Sequence, residues 1–498
     1  MTKYNKIIVV GSGPAGLSCA MALLKKGVQV TLVDIGVRES KDSAKASNSA
    51  VDWDHAYDNL VKPKGIPLKT TFGSLHPYSQ TDLVKQIDCL LVSSQSVGGL
   101  SAVWGRACLP YTDLELDGWP LRYEDLRPYY HLVEQEMMSL HCANPSESAF
   151  PYHSTTVMAL PAPKSLGGIR EKLQHYFEVV SARIALNKGR EQSCTGCGHC
   201  LAGCPENVLL DLSAAADRLR QLYPNFSYVP HTKVNTFTET EDKVIIQGVD
   251  LEGGAISISA DKLFLACGPL ASAIIALGSQ QEKQGLEILD SQYFIIPFIS
   301  LQPLLSADEL ANYHSSCQLM AEHVDANSTP NRTHLQFYFY NEIFERVVFH
   351  QFPLLRHFRP ALMPIFRRLG VVQGFLHSDL SAKIALKKAG DGRFELSVSK
   401  PAPKTMKILR PILCKLFKAG LIPILPALQI KLPGQSFHNG GALPMQAAGG
   451  FLTTESNGKL RGFSRVYIAD SSAFPSIPAT TITLTIMANA YRVGDINA

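Results

Sequence analysis

The sequence predicts an α/β protein in which a parallel-sheet domain is joined to a second, α+β domain built on an antiparallel sheet. Three observations predict it. An apolar strand near the start runs into a glycine-rich turn, a helix, a second strand and an acid. Another strand–glycine–helix segment follows Ala260, and a strand ending on Asp470 lies near the C-terminus. Between these, residues 290–435 hold short alternating runs such as Gln336 to Phe339 and Phe394 to Val398, which suit an antiparallel sheet.

A chain of 498 residues is too long for one simple core, so two domains are expected. Its formal net charge of +4 is small for that length and Lys and Arg are scattered, which argues against nucleic acid as a partner. The first strand begins within six residues, so no signal peptide is expected, and no uninterrupted apolar run is long enough to span a bilayer. The 11 cysteines, four of them clustered, fit a reducing cytosol and a metal site better than disulfides. A cytoplasmic protein follows from this. No internal repeat is visible.

Lys6 to Gly36 organises the rest. Ile7 to Val10 reads as a buried strand, Gly11-Ser12-Gly13-Pro14-Ala15-Gly16 as a turn, Leu17 to Lys26 as a helix, and Val28 to Val33 as a strand ending on Asp34. This is the unit that binds a dinucleotide. Gly11 makes the tight turn, Gly13 lets the backbone approach a pyrophosphate, and Gly16 lets helix and strand pack. The helix N-terminus favours phosphate, and Asp34 can accept ribose hydroxyls.

Residues 37–90 are loop-rich and polar. Ser96-Val97-Gly98-Gly99-Leu100-Ser101-Ala102-Val103-Trp104-Gly105-Arg106 is dense in small residues, which let a backbone pass close to something flat or charged. Asp117-Gly118-Trp119-Pro120-Leu121 and Tyr123-Glu124-Asp125-Leu126-Arg127-Pro128-Tyr129-Tyr130 follow. Together these resemble the flavin-contacting loop, and the segment after it, of the glucose–methanol–choline (GMC) oxidoreductases. The resemblance implies FAD, with Gly98, Gly99 and Ser101 at the flavin. Trp119 and Tyr129 are read as core residues.

Cys194-Thr195-Gly196-Cys197-Gly198-His199-Cys200-Leu201-Ala202-Gly203-Cys204-Pro205 has the spacing C-x2-C-x2-C-x3-C-P, which wraps iron–sulfur clusters. Cys194, Cys197, Cys200 and Cys204 are the candidate ligands, for a 4Fe–4S cluster ahead of a 3Fe–4S one. A four-thiolate zinc site, plain buried thiols and a disulfide stay open. The resemblance places this run in one branch of the family. His199 is expected to be a solvent-facing filler.

Leu209 to Leu222 reads as a helix and Ser227 to Val249 as paired strands. Family resemblance places Val234 at the adenine. Ala260 to Pro269 reads as a strand and glycine turn leading into a helix, Leu270 to Leu277. Gly268 there resembles the family's second flavin approach, with Cys267 a small buried residue. Arg356 to Gly370 and Lys404 to Pro433 are basic, apolar and free of acids, but broken by prolines. That composition suits two helices packed on a sheet with their cations on the wet face, ahead of helices lying in a membrane interface.

At the C-terminal end, Ser436 to Met445, Ser464 to Pro475 and Thr483 to Ala488 resemble three family motifs. They imply that Asp470 lies at the flavin phosphates and ribityl chain, and that His438 faces flavin N5. The family's second catalytic Asn or His falls on Thr481, which can hydrogen-bond an alcohol but cannot act as a base. His438 is therefore the base candidate, with Thr481 and Asn439 holding the oxygen.

The expected architecture is a Rossmann-like FAD-binding domain (1–110, 194–290 and 436–498) with a substrate domain (111–193 and 291–435). The expected activity is oxidation of a CH–OH group by hydride transfer to the flavin, with electrons leaving through the iron–sulfur cluster. The substrate would be a small-molecule or lipid-linked alcohol. The acceptor would be a ferredoxin, cytochrome or quinone, and the protein could rest peripherally on the inner face of a membrane. Two alternatives stand beside it. One is a ferredoxin-driven reductase of a double bond or ketone, and the other is a non-catalytic flavoprotein with a structural metal.

Overall fold

A computed structural model describes residues 6–37, 84–142, 150, 151, 153, 157, 158, 160–201, 204–280, 285–325, 332–390, 392–402 and 404–498. The loop-rich stretch expected over 37–90 lies largely outside them.

The strand Lys6–Val10 is the middle of a five-stranded sheet whose pairings are all parallel. Gln29–Val33 and Lys262–Leu265 flank it, and Phe226–Val229 and Val466–Ile468 lie outermost. The three inner strands carry nearly continuous buried apolar runs, as a sheet covered on both faces requires. The helix Pro14–Lys25 packs along the C-terminal helix Thr483–Ile496. Four of the strands lead at their carboxyl ends into Gly11, Asp34, Gly268 and Asp470. The crevice outside those ends is where such sheets bind ligands.

The antiparallel sheet expected over 290–435 is present. Its order is Leu421–Pro423, Tyr293–Ser300, Leu369–Leu376, Arg332–Tyr338, Leu319–Val324, with Glu178–Ser181 added at the edge from earlier in the chain. Strand alternation sorts its side chains. Phe294, Phe298, Leu335, Phe337 and Val372 meet Leu409, Ile412 and Leu416 of the helix Thr405–Lys418. The opposite face carries His334, Gln336, Tyr338 and Phe375.

Two stretches expected in the substrate domain pack with the first core instead. The helix Tyr123–Glu136 lies along Thr483–Ile496, and Tyr111, Trp119 and Tyr130 join the core of the parallel sheet. Tyr129 is half-buried, its hydroxyl donating to Asp495 at 3.2 Å. The strands Lys383–Lys388 and Phe394–Lys400 pair in a mixed sheet with Leu286–Asp290, and Ile384, Leu386 and Leu396 enter the same core. The divisions expected at 110/111 and 290/291 therefore do not follow the packing. Amphipathic patterning marks an apolar face but not which core it meets. The helix expected from Leu209 begins only at Ala215: Leu209 bridges Leu186, and Leu210 and Leu212 are buried ahead of the helix.

Candidate active site

The Gly11–Gly16 turn is shaped from inside. Gly11 takes φ +104°, and a Cβ there would lie 2.5 Å from Ala266 O. A Cβ at Gly16 would fall 1.8 Å from Gly11 O. Gly13 differs. Its φ of −70° suits any residue, and a Cβ there would meet no protein atom within 4 Å. Space is kept open over Gly13, at the start of the helix whose first residues are Pro14 and Ala15. Its free N–H groups and dipole favour a pyrophosphate there.

Ser12 ties this turn to the acid and to the second glycine loop. Its Oγ donates to Asp34 Oδ2 and accepts Gly98 N at 2.9 Å. Tyr228 OH reaches the same Asp34 oxygen at 3.4 Å. Burial pushes the Asp34 carboxyl up to about 6, against the pull of the Ser12 hydrogen bonds. A Cβ at Gly99 would lie 3.3 Å from Gly13 Cα, so the two loops touch. Ser101 is committed inside its loop: its Oγ donates to Gly98 O at 2.7 Å and accepts Leu212 N at 3.1 Å.

Gly268 also has open space where a Cβ would sit. Its N–H donates to Asp470 Oδ2 at 2.9 Å. Asp470 further accepts Ser272 Oγ at 2.5 Å and Ser472 N at 2.8 Å, so one carboxylate clips together the ends of two parallel strands. Burial raises its pKa. Val234 is buried in the strand Thr232–Glu239, opposite Gly248. Cys267 is half-buried rather than enclosed. Two glycines with free space, a helix N-terminus and buried acids fit FAD.

The His438 segment lies against this crevice. Gly441 N donates to Ser471 O at 2.9 Å, and Ser471 Oγ donates to Asn439 O at 2.7 Å. The half-buried His438 ring stacks on Phe375, and its Nδ1 is buried without a hydrogen-bond partner. Burial pushes the imidazole down to about 3, with His334 adding repulsion, so the ring is neutral over the ordinary pH range.

Asp290, which no motif marks, holds the segment. Its Oδ1 accepts Ser436 Oγ at 2.5 Å and Asn439 Nδ2 at 2.7 Å, and Ser436 Oγ accepts His438 N at 2.9 Å. Asn439 is thus turned to Asp290. Thr481 is likewise committed: its Oγ1 accepts Leu109 N at 2.6 Å. The neighbouring Thr480 has its Oγ1 buried without a partner.

A buried polar row lies on the same face of the sheet as Phe375, the residue on which His438 stacks. Tyr338 OH donates to Gln336 Oε1 at 2.9 Å, Gln336 Nε2 lies 3.3 Å from His334 Nε2, and His334 Nδ1 lies 2.6 Å from Glu322 Oε1. His334 stands 6.4 Å from Phe375 between ring centroids. A Cβ at Gly105, in the second glycine loop, would be 3.5 Å from Tyr338 OH. The row therefore reaches from that loop towards His438. Its residues carry no family motif, and a period of two in a strand was their only signal.

Cys194, Cys197, Cys200 and Cys204 line one small pocket with Tyr313 and His314. Val208 N donates to Cys204 Sγ at 3.2 Å. Burial pushes the Cys194 thiol up, and the other three thiols add to it. Among the described residues, no three His, Cys, Asp or Glu side chains are grouped to hold a metal ion. His199 is not the solvent-facing filler expected. It is half-buried, its pKa lowered by burial, and it lines a second pocket with Tyr340, Glu342 and Arg359. The run folds back on the Tyr313 segment, which no local pattern announces.

Comparison with known proteins agrees with this geometry. A family model described as FAD binding domain matches residues 4–49, and one described as GMC oxidoreductase matches residues 428–490. No curated protein matches the chain in sequence. Among solved structures, pyridoxine 4-oxidase from Mesorbium loti is similar in fold, with a TM-score of 0.64 at 12% identity over 99% of each chain. The chain therefore matches an FAD-binding domain over its first strands and a GMC oxidoreductase model towards its C-terminus, and it shares its fold with a pyridoxine 4-oxidase.

Proposed function

We propose that the protein oxidises an alcohol, with His438 receiving the hydroxyl proton. Bound FAD supplies the hydride acceptor. It would be held by Gly11, Gly13 and Gly16 with the helix N-terminus, by Asp34 at the ribose, and by the Gly98–Ser101 and Gly268 turns. The observation that carries the assignment is the His438 ring: neutral, flat on Phe375, with a buried Nδ1 that no protein group satisfies. A buried ring nitrogen of that kind calls for a hydrogen-bond partner, and a substrate hydroxyl can serve as one. Asp290 acts through Ser436 and Asn439 to fix the segment. Asn439 and Thr481 position backbone, and the unpartnered Thr480 hydroxyl is the better group to meet the substrate oxygen. Pyridoxine 4-oxidase, one solved structure of similar fold, carries by its name an oxidase activity on a small molecule, which suits an alcohol of modest size here.

We further propose that Cys194, Cys197, Cys200 and Cys204 hold an iron–sulfur cluster, which when bound would relay single electrons to a ferredoxin, cytochrome or quinone acceptor. The C-x2-C-x2-C-x3-C-P spacing and an N–H donated to sulfur support that reading.

Two measurements test the proposal. Anaerobic addition of candidate alcohols should bleach the flavin. Bleaching by reduced ferredoxin but by no alcohol would reverse the direction. The visible and EPR spectra of anaerobically purified protein should show both flavin and cluster, and zinc in place of iron would remove the relay.

A further inference from the structure

The two basic stretches differ in how they pack. Thr405–Lys418 buries Thr405, Leu409, Ile412 and Leu416 against the antiparallel sheet, so packing explains its apolar face. The segment before and through Arg359–Phe366 has no such explanation. The short helical turn Pro353–Phe358 buries none of its residues, and Arg359–Phe366 buries Phe366 alone. Phe352, Leu354, Phe358 and Ile365 stand 58%, 76%, 61% and 50% exposed. Large apolar side chains left exposed this close together along a folded chain mark a contact surface.

Charge says what kind. Residues 352–370 contain no acid. Arg356 and His357 are exposed among the apolar side chains. The nearby acids are already paired: Glu345 takes Arg359 at 2.8 Å, and Glu342 takes Arg346 at 2.6 Å. The face also continues. Leu301, itself 62% exposed, accepts Arg368 at its carbonyl and donates its N–H to Gly420 O at 2.9 Å. It thereby joins this face to the exposed Phe417 in the last turn of the second basic helix and to Ile422 just beyond it.

We propose that the Phe352–Ile365 face docks on an anionic lipid leaflet and sets the cysteine pocket at the lipid boundary. Apolar side chains enter the headgroup region while the cations meet lipid phosphates, the balance by which interfacial helices bind. The cysteines follow from continuity. Cys197 and His199 share a pocket with Arg359, the first residue of the helix Arg359–Phe366. That the pocket serves an electron acceptor rests on the proposed function, whereas the lipid contact does not.

Flavin-loaded protein should sediment with vesicles of phosphatidylserine and phosphatidylcholine at low salt. It should ignore vesicles of phosphatidylcholine alone and be partly released as salt rises. Leu354→Ser with Phe358→Ser should cut sedimentation roughly tenfold or more, and Arg356→Glu should act the same way. Unfolding temperature should not move, since these side chains are exposed. Parent protein that ignores the anionic vesicles overturns the proposal, as does a double variant that binds like the parent. A parent dimer that the double variant turns into a monomer, without vesicle binding, would make the face a contact between two copies and also overturn it. Sedimentation is read without turnover, so a failed alcohol assay and a failed docking are told apart.

Discussion

His438 lies flat against Phe375, with ring centroids 4.5 Å apart and planes 20° from parallel. A residue of the C-terminal segment is thus aimed by a strand of the antiparallel sheet, through stacking rather than through a hydrogen bond to its ring. Phe375→Leu keeps apolar bulk and removes the flat surface. Such a pair contributes about 0.5–1.5 kcal/mol, so turnover should fall roughly 2- to 10-fold with flavin content unchanged. His438→Ala should also keep flavin but lose about 10²–10⁴-fold, the usual worth of a positioned base. Steady-state kinetics on both variants checks this, and unaltered turnover in His438→Ala would move the base elsewhere.

The pH profile should carry the same signature. A base accepts a proton only when unprotonated, and burial holds His438 down to about 3, well below the ordinary 6.5. The acid limb of kcat/KM should therefore lie below about pH 5. A limb near 6.5 would mean the ring is solvated in the working enzyme. Stability is linked to the same shift. Between about 3 and 6.5 the unfolded chain binds a proton that the folded one does not, so stability is lost as pH falls through that window. Asp290 acts in the opposite sense. Burial raises it from 3.8 to about 6, so its share is full below about 4 and lost as pH rises through 6.

The glycine turn separates fold from ligand. At Gly13 a side chain meets no protein atom within 4 Å, so Gly13→Val should leave the unfolding temperature of flavin-free protein near that of the parent. It should nevertheless purify colourless, because the valine occupies the space a pyrophosphate needs. Gly16→Val should lose flavin and stability together, since its Cβ falls 1.8 Å from Gly11 O. Yellow Gly13→Val protein would refute the assignment of the pyrophosphate site.

Cys197→Ser should remove bound iron and leave FAD in place, because the cysteine pocket and the glycine crevice are built from separate stretches of chain. Bleaching of the flavin by substrate should survive, while reduction of an external one-electron acceptor should fail. Iron analysis beside a flavin spectrum checks this, and equal iron in variant and parent would place the metal elsewhere.

The sequence by itself determined the parallel sheet, the two glycine loops, Asp34, Gly268, Asp470 and the His438 segment. Each is written locally: a strand, a turn that needs small residues and an acid a fixed distance on are set by backbone geometry over a few positions. The antiparallel sheet was legible for a similar reason, since alternation with a period of two records one polar and one apolar face, both of them buried at Arg332–Tyr338.

Only the tertiary structure decided what those pieces meet. Asp290 lies 149 residues before Asn439, and Thr481 lies 372 residues after Leu109, yet each pair is joined by hydrogen bonding. Thr481 looked like a catalytic group because its partner was out of sight. Phe375, His334 and Glu322 carry no local signal, because nothing in a short window records which face of a sheet will lie beside the His438 segment. The same holds for Phe352–Ile365. Its composition allowed a packed helix or a surface one, and burial, a property of the whole fold, left it exposed. Local geometry is encoded within a few residues, whereas contacts between distant segments depend on how all the apolar faces are shared among cores, which no short window of sequence contains.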